Sequence, residues 1–235
     1  FQSLILNIIP QAFKIHLDAS DTSSYTTRTE NGYQYVTSWK NFDSPLIDQP
    51  YLENGGIAFK ATSTNLMPRM KYNSNPLEIA SMYVKQKTYY FVIEDSGVKL
   101  GERYLLNLEP YGSGGLIFGF WSTSQMRITN RLLYSQDGVV PIARKEVFAM
   151  QTVQYPGNQK LFVNNVKVSD VQVQSADLNA KSDWQTLTIG GRYDSNSSWS
   201  SWQGTIYEME ITEETSSDEQ ILARMAQLRT KWGIA

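Results

Sequence analysis

Short apolar segments separated by turn residues run along most of the chain. Stretches such as KTYYFVIED, KLFVNN, VKVSDVQV and WQTLTIGG are rich in β-branched and aromatic residues. Turn pairs separate these stretches, at Asn31-Gly32, Asn54-Gly55, Asp137-Gly138 and Asn164-Asn165. A protein of alternating strands and helices would show helical periodicity, which these stretches lack. The pattern predicts an all-β antiparallel sandwich.

A helical pattern follows near the end of the chain. Ser217 precedes two acidic residues and Gln220, which fits a capping box with acidic residues in the first turn. Gly233 marks the stop, and the apolar residues at helical spacing are Ile221, Leu222, Met225 and Leu228. We predict one helix whose apolar stripe lies across one end of the sandwich, with Trp232 closing the contact.

Length and charge narrow the class of protein. With 235 residues, of which 41% are hydrophobic, the chain is long enough to bury the core of one domain. The 21 basic and 23 acidic residues give a formal net charge of -2, without a Lys/Arg-rich run, so we expect no nucleic acid and no membrane surface as partner. The longest apolar runs fall well short of the roughly 18 residues of a membrane helix.

Cysteine is absent and the chain has one histidine, His16. Neither a disulfide framework nor a thiolate metal site can therefore support the fold. A site with several histidine ligands is excluded too, and the apolar neighbours of His16 indicate a strand residue rather than a general base. We predict no cofactor.

The first ten residues, FQSLILNIIP, form an apolar segment that Pro10 separates from the first strand. Terminal segments stay disordered unless something ties them down. We expect residues 1–10 either to pair as an edge strand or to dock on a partner, and residues 11–235 to form the sandwich domain.

Several blocks, taken in order, resemble the concanavalin A-like lectin/glucanase superfamily, in its laminin G-like jelly-roll branch found in phage and bacterial surface proteins. IHLDASDTSSYT and NGYQYVTSWKNFDSP resemble the opening of that branch, and NGGIAFKATSTNLM resembles its second strand region. QKLFVNNVKV and LTIGGRYDSNSSWSSWQGTIYEMEIT resemble its later strands, and SSDEQILARMAQLRTKWGI resembles its capping helix. The resemblance implies a two-sheet antiparallel jelly-roll sandwich with one C-terminal capping helix.

Three acids stand in the order E-x-E-x-x-E, at Glu208, Glu210 and Glu213. Strict alternation places Glu208 and Glu210 outwards with Ile206 and Thr212, and it places the core face at Tyr207, Met209 and Ile211. Laminarinase-type glycosidases of the superfamily carry a similar motif whose outer glutamates are nucleophile and acid/base, which would here be Glu208 and Glu213. The motif in this chain runs directly into the helix, which favours a structural strand, and a glycosidase is the alternative.

The loop GGRYDSNSSWSSWQG, residues 190–204, is a candidate ligand site. Aromatic rings stack on sugar faces while Asp, Asn and Arg satisfy hydroxyls. The residues concerned are Arg192, Tyr193, Asp194, Asn196 and Trp199. The alternative is an ordinary solvated loop with Trp202 in the core.

Asp18 and Asp21, in LDASD, are candidates for a calcium site because paired acids on a corner suit a hard cation. Calcium takes six or more oxygens, and only two acids are local. We therefore predict Asx-type turns, in which the side chains accept from backbone amides, and no metal site.

These observations predict a protein that is not an enzyme. The resemblance implies a structural or adhesion module of a bacteriophage virion, as a capsid decoration or tail protein, with glycan binding as a further property. A secreted or cell-surface carbohydrate-binding adhesin is the alternative. The expected location is the virion surface or the extracellular space. Expected partners are other virion or surface proteins, glycans and further copies in a homo-oligomer, without membrane insertion.

Overall fold

The computed structural model describes residues 13–62, 67–73, 87–96, 103–110, 116–120, 125–130, 136–137, 144–151, 158–172, 184–191, 201–212 and 215–235. These ranges contain seventeen strands and one helix, α1 (Asp218–Trp232). The strands are β1 (Phe13–Asp18), β2 (Tyr25–Glu30), β3 (Tyr33–Trp39), β4 (Phe42–Asp43), β5 (Tyr51–Glu53), β6 (Gly56–Phe59), β7 (Met70–Tyr72), β8 (Thr88–Asp95), β9 (Arg103–Pro110), β10 (Leu116–Phe120), β11 (Gln125–Asn130), β12 (Gln136–Asp137), β13 (Lys145–Gln151), β14 (Asn158–Val163), β15 (Val166–Gln172), β16 (Trp184–Ile189) and β17 (Gly204–Thr212).

The strands form two antiparallel sheets. One sheet runs in the order β1, β17, β8, β13, β14 and β15. The other runs β2, β3, β4, β7, β16, β9, β10, β11 and β12. At one edge, β5 pairs with β3, β6 pairs with β5, and β6 also pairs with β17. These hydrogen bonds connect the two sheets. The predicted antiparallel sandwich is confirmed.

The main apolar core fills the space between the two sheets. Phe91 of β8 and Phe148 of β13 face it from the first sheet, and Trp39 and Phe118 face it from the second. The Phe91 and Phe118 rings stack with their centroids 4.8 Å apart, which joins the sheets directly. Burial of each such side chain stabilises the fold by roughly 1.5–3 kcal/mol.

Helix α1 packs on the outward face of the first sheet. Its buried Ile221, Met225 and Leu228 contact a second apolar cluster that contains Tyr90 and Val92 of β8. β8 is therefore buried on both faces, which explains its nearly continuous apolar sequence. The helix lies over the middle of this face rather than at one end of the sandwich, because the apolar surface available to it is there.

The predicted caps of α1 are confirmed. Ser217 Oγ accepts from the Gln220 backbone N–H, and the Gln220 side chain accepts from the Ser217 backbone N–H. Gly233 ends the helix with a φ of 64°, in the left-handed region. No helix in the described ranges has the length and apolar character needed to span a membrane.

Three of the predicted tight turns are present, at Asn31-Gly32, Asn54-Gly55 and Asn164-Asn165, whereas Gly138 of the predicted Asp137-Gly138 turn lies outside the described residues. Asn31 and Gly32 have φ angles of 51° and 81°, so both central residues of that hairpin are left-handed. Asn164 and Asn165 adopt φ angles of 45° and 67°. Asparagine tolerates this conformation, and two consecutive positive φ values match the right-handed twist of the strands.

Candidate functional site

Strand β17 departs from strict alternation. Its pairing with β8 shifts between Ile206 and Glu208, so that Tyr207 is the extra residue of a β-bulge. Ile206 joins Met209 in the core between the sheets, whereas Tyr207 belongs to the cluster beneath α1. The faces predicted for Ile206 and Tyr207 are wrong, because the inserted residue reverses the alternation at that point.

Glu208 and Glu210 lie on the outward face of the sheet, as predicted, but α1 covers them. Their side chains are 1% and 0% exposed, respectively. A carboxylate in such a position must accept hydrogen bonds from the protein or lie beside a positive charge. Both acids receive them from groups on β1 and α1.

Three donors converge on Glu208. His16 Nε2 lies 2.8 Å from Oε1, and Oε2 accepts from Lys231 Nζ at 2.7 Å and from Trp232 Nε1 at 2.6 Å. Burial alone would raise the pKa of Glu208. The hydrogen bonds outweigh burial and lower this pKa from 4.5 to about 2.

Arg224 holds Glu210 in a fork. Arg224 Nε donates to Glu210 Oε2 at 2.9 Å, and Arg224 Nη2 donates to Glu210 Oε1. Burial raises the pKa of Glu210 against the opposing effect of Arg224, and the neighbouring charge of Glu208 acts in the same direction as burial.

This arrangement fastens the helix to the sheet. A glycosidase carboxylate must reach the scissile bond of a sugar, whereas the oxygens of Glu208 and Glu210 are engaged by His16, Arg224, Lys231 and Trp232 beneath α1. A sugar would have to displace the helix to contact them. Glu213, the third acid of the motif, lies outside the described residues.

The same cluster contains a grouping suited to a metal ion. His16, Asp18 and Glu208 offer ligand atoms that all lie within 4.8 Å of one another. Lys231 Nζ lies between the two carboxylates, 2.6 Å from Asp18 Oδ2 and 2.7 Å from Glu208 Oε2. The ammonium group supplies the positive charge that a metal ion would bring, so a cation would have to displace Lys231.

The corner that contains Asp18 and Asp21 forms the predicted Asx-type turns. Asp18 Oδ1 accepts from the Ser20 backbone N–H at 2.9 Å, and Asp21 Oδ1 accepts from the Ser23 backbone N–H at 3.1 Å. The serine hydroxyls donate to the same oxygens. These hydrogen bonds, first the one from the Ser23 side chain, lower the pKa of Asp21.

The loop predicted to contact ligand falls mostly outside the described part of the chain. This applies to each candidate in it, namely Arg192, Tyr193, Asp194, Asn196 and Trp199. The described end of the loop is firmly held, since the Trp202 backbone N–H donates to the Gly190 carbonyl at 2.9 Å. The Trp202 side chain is fully buried, which confirms its alternative assignment to the core.

A surface pocket of about 180 Å³ opens beside the hairpin of β2 and β3. The Arg28 guanidinium lies over the Tyr35 ring, 5.9 Å from its centroid, and donates to Gln49 Oε1 at 3.2 Å. Arg28 also forms an ion pair with Glu30. The lining residues are Arg28, Glu30, Asn31, Tyr35, Leu46, Ile47 and Gln49.

Two further tyrosines extend this pocket into an aromatic cluster. The Tyr33 ring centroid lies 5.6 Å from that of Tyr35 and 4.9 Å from that of Tyr51. Burial, with a smaller effect of Glu53, raises the pKa of Tyr51 to about 12, so its hydroxyl stays neutral and can donate. The sequence signal for this cluster is the Y-x-Y pair, Tyr33 and Tyr35, directly after the Asn31-Gly32 turn, and no site was predicted there.

The chain is similar in fold to solved structures of larger proteins. It matches Trypanosoma rangeli sialidase in complex with sialic acid with a TM-score of 0.60 and 13% identity, over 88% of this chain and 32% of that one. It matches a structure of botulinum neurotoxin type C, which depends on interaction with two ganglioside molecules to enter cells, with a TM-score of 0.58 and 13% identity, over 87% of this chain and 50% of that one.

A third similarity is to the CBM40 of Ruminococcus gnavus IT-sialidase, with a TM-score of 0.50, 14% identity, and coverage of 72% of this chain and 92% of that one. No protein-family model matches the sequence, and no curated protein matches it. The chain spans about a third of the sialidase and half of the neurotoxin chain. At these identities the similarities establish one property, a β-sandwich fold shared with these proteins.

Proposed function

We propose that this chain is a carbohydrate-binding module without catalytic activity, and that the pocket beside the β2–β3 hairpin binds the sugar. The observation that carries the proposal is the contact of Arg28 with Tyr35 and Gln49 at the pocket wall. The exposed Tyr33 ring, which packs against the buried Tyr35, supplies an apolar face beside these polar groups. This combination suits a sugar, whose ring has apolar faces and hydroxyl edges.

The size and polarity of the pocket support a small ligand. Its volume of about 180 Å³ is below the ~300–1,000 Å³ of sites for drug-sized molecules. One sugar ring at the end of a glycan fits this scale. Arg28 offers donors and Glu30 offers acceptors, so both kinds of hydroxyl hydrogen bond are available at the wall.

The similar folds agree with a glycan ligand. One structure contains sialic acid, one protein interacts with gangliosides, and one is a CBM40 of a sialidase. We therefore include sialylated glycans among the ligands to be tested, together with neutral ones. The proposal for this chain rests on its own pocket.

The absence of catalysis is part of the proposal. Its support is the engagement of Glu208 and Glu210 by donors of the chain itself. A laminarinase-type glycosidase that uses Glu208 and Glu213 is the competing function. Reducing-sugar release from β-glucans that disappears in Glu208→Gln would favour that enzyme over the binding module.

We also propose that the module belongs to the laminin G-like jelly-roll branch and is displayed on a bacteriophage particle or outside a cell. The support is the sequence resemblance described above, together with the capped helix that closes the sandwich. Deletion of residues 1–10 tests the virion role. The deleted chain should remain folded and lose attachment to the particle, whereas retained attachment would contradict docking through this segment.

A glycan array tests the binding site. We expect the wild-type chain to bind a defined set of glycans and Arg28→Ala to lose at least tenfold in affinity. Lys167→Ala is the control, because Lys167 is an exposed cation on β15 of the other sheet. Trp199→Ala tests the loop of residues 190–204 separately.

The array has clear contrary outcomes. Loss of binding in Trp199→Ala with full binding in Arg28→Ala would move the site from the pocket to the loop. No binding by the wild-type chain to any glycan would contradict the proposed function.

A further inference from the structure

A turn beside the pocket carries two adjacent apolar side chains into solvent. Leu46 is 79% exposed and Ile47 is 76% exposed. They occupy the central positions of a turn in which the Asp48 backbone N–H donates to the Pro45 carbonyl at 3.3 Å. Both side chains also line the pocket.

Apolar exposure is concentrated at this place. Among the residues whose side chains the structure describes, the exposed large hydrophobic ones are Leu46, Ile47, Tyr33 and Val166. The first two line the pocket, and Tyr33 packs against Tyr35, which also lines it. Three of the four therefore lie at one site, and a cluster of this kind marks an interaction surface.

The base of the turn is rigidly held. The Asp48 side chain is buried and accepts from Arg69 Nη2 at 3.2 Å, and the Arg69 backbone N–H donates to the Asp48 carbonyl at 3.0 Å. On the other side, the Val36 backbone N–H donates to the Pro50 carbonyl at 2.7 Å. The two apolar side chains are thus presented by a fixed support, which lowers the entropic cost of using them in binding.

We propose that the glycan bound in the pocket is the headgroup of a glycolipid, and that Leu46 and Ile47 enter the surrounding lipid surface. This inference rests on the proposed glycan binding. A stable protein partner would need a patch of about 800 Å² on this chain, far more than two side chains at the tip of a turn offer. A lipid surface, in contrast, accepts small protruding apolar groups without a matching groove.

The electrostatics agree with a contact driven by apolar groups. The formal net charge is -2, and the two arginines described beside the turn are both paired, Arg28 with Glu30 and Arg69 with Asp48. Attraction to anionic lipid headgroups therefore contributes little, and the glycan selects the membrane. The contact is shallow and involves no spanning segment. It revises the expectation from the sequence that no membrane surface is a partner, because that expectation considered charge and long apolar runs and not two exposed apolar side chains at one turn.

The expected effect is large enough to measure. Full burial of one Leu or Ile side chain changes an equilibrium by roughly tenfold to a hundredfold. Two such side chains alone bind a protein to a membrane only weakly. They act together with the glycan site, because insertion of the side chains becomes an intramolecular step once the glycan of the same membrane is bound. We expect glycolipid in a membrane to bind about tenfold to a thousandfold more tightly than the same oligosaccharide in solution.

Flotation with phosphatidylcholine vesicles tests the inference. The vesicles are used plain, with a mixed ganglioside fraction, and with neutral glycosphingolipids, and the oligosaccharides released from the same lipids are titrated in solution. The variants are Leu46→Ser with Ile47→Ser, Arg28→Ala, and Val166→Ser as the matched control. Val166 is 59% exposed on β15, so its substitution removes an apolar surface group elsewhere.

We expect the wild-type chain and Val166→Ser to float with one class of glycolipid vesicle. The Leu46/Ile47 variant should bind these vesicles at least tenfold more weakly and should bind the free oligosaccharide as the wild type does. Equal vesicle binding by this variant and the wild type would overturn the inference and leave glycan binding intact.

Two other results would contradict other parts of the inference, namely the glycan binding and the lipid contact. Absence of wild-type binding to both the oligosaccharides and the vesicles would refute the glycan function on which the inference rests. A wild-type dimer that becomes a monomer in the Leu46/Ile47 variant would assign the tip to a second copy of the chain and overturn the lipid contact.

Discussion

Arg224 on helix α1 forms a forked ion pair with Glu210 on strand β17, with Arg224 Nε 2.9 Å from Glu210 Oε2. The Glu210 carboxylate is fully buried, so this pair attaches the helix to the sheet at a place where water cannot replace the arginine. Removal of one partner leaves a buried charge uncompensated, which is more costly than removal of both.

We expect Arg224→Met to lower the free energy of unfolding by about 3–5 kcal/mol. The double variant with Glu210→Leu should recover a large part of this loss, because it leaves no orphan charge. Urea denaturation measures both. Arg28→Met is the control, because the Arg28–Glu30 pair is 44% and 46% exposed and should contribute at most about 1 kcal/mol. Equal losses in Arg224→Met and the double variant would argue against the pairing.

The depressed pKa of Glu208 predicts an acid-sensitive fold. A carboxyl group whose pKa is lower in the folded state stabilises the fold above its unfolded pKa and loses that effect as the pH falls through the folded value. The window therefore lies between pH 4.5 and about 2, and the loss is of the order of 3 kcal/mol. The raised pKa of Glu210 acts in the opposite direction and in a different window, because it lowers stability as the pH rises above the ordinary value of 4.5 and leaves the window of Glu208 unchanged.

Thermal unfolding followed across this pH range should show the loss in the wild-type chain and a flatter curve in Glu208→Gln. Asp21→Asn is a suitable control, because Asp21 also has a lowered pKa but lies in an exposed turn away from the cluster beneath α1. A wild-type curve unchanged by Glu208→Gln would remove Glu208 as the source of acid sensitivity.

The start of β17 leaves no room for a side chain at Gly204. A Cβ there would overlap the Trp202 ring and the carbonyl oxygen of Glu94 on β8. Gly204→Ala should therefore displace β17 from β8 and destabilise the protein by about 3 kcal/mol. In Gly32→Ala nothing lies near the new Cβ, and the positive φ alone costs about 1 kcal/mol. Chemical denaturation of the two variants checks the difference, and equal destabilisation would contradict it.

The capping box at the start of α1 predicts a smaller loss of stability, confined to the first turn of the helix. Ser217→Ala removes the acceptor for the Gln220 backbone N–H and should cost about 1 kcal/mol. Hydrogen exchange should show faster opening of the first turn of α1, while the amides of β8 stay protected. Ser20→Ala, in the exposed turn after β1, provides the control. Unchanged exchange at the start of α1 would show that the cap does not hold this end.

The sequence predicted the turns and the ends of the helix well. The Asn31-Gly32 and Asn164-Asn165 turns follow from the residues that tolerate positive φ, and the ends of α1 follow from Ser217 and Gly233. The turns at Asp18 and Asp21 were predictable for the same reason, since each aspartate bonds to a backbone amide two residues later. These features depend on neighbours in the chain.

The sequence by itself determined the sandwich class, its tight turns and its capped helix, because each is encoded by residues a few positions apart. The tertiary structure decided the bulge at Tyr207, which arises from register with β8, and the burial of Glu208 and Glu210, which depends on where α1 packs. It also decided the pocket, whose walls come from the β2–β3 hairpin and the turn at residues 45–48. Long-range packing sets such features, and no local pattern specifies it.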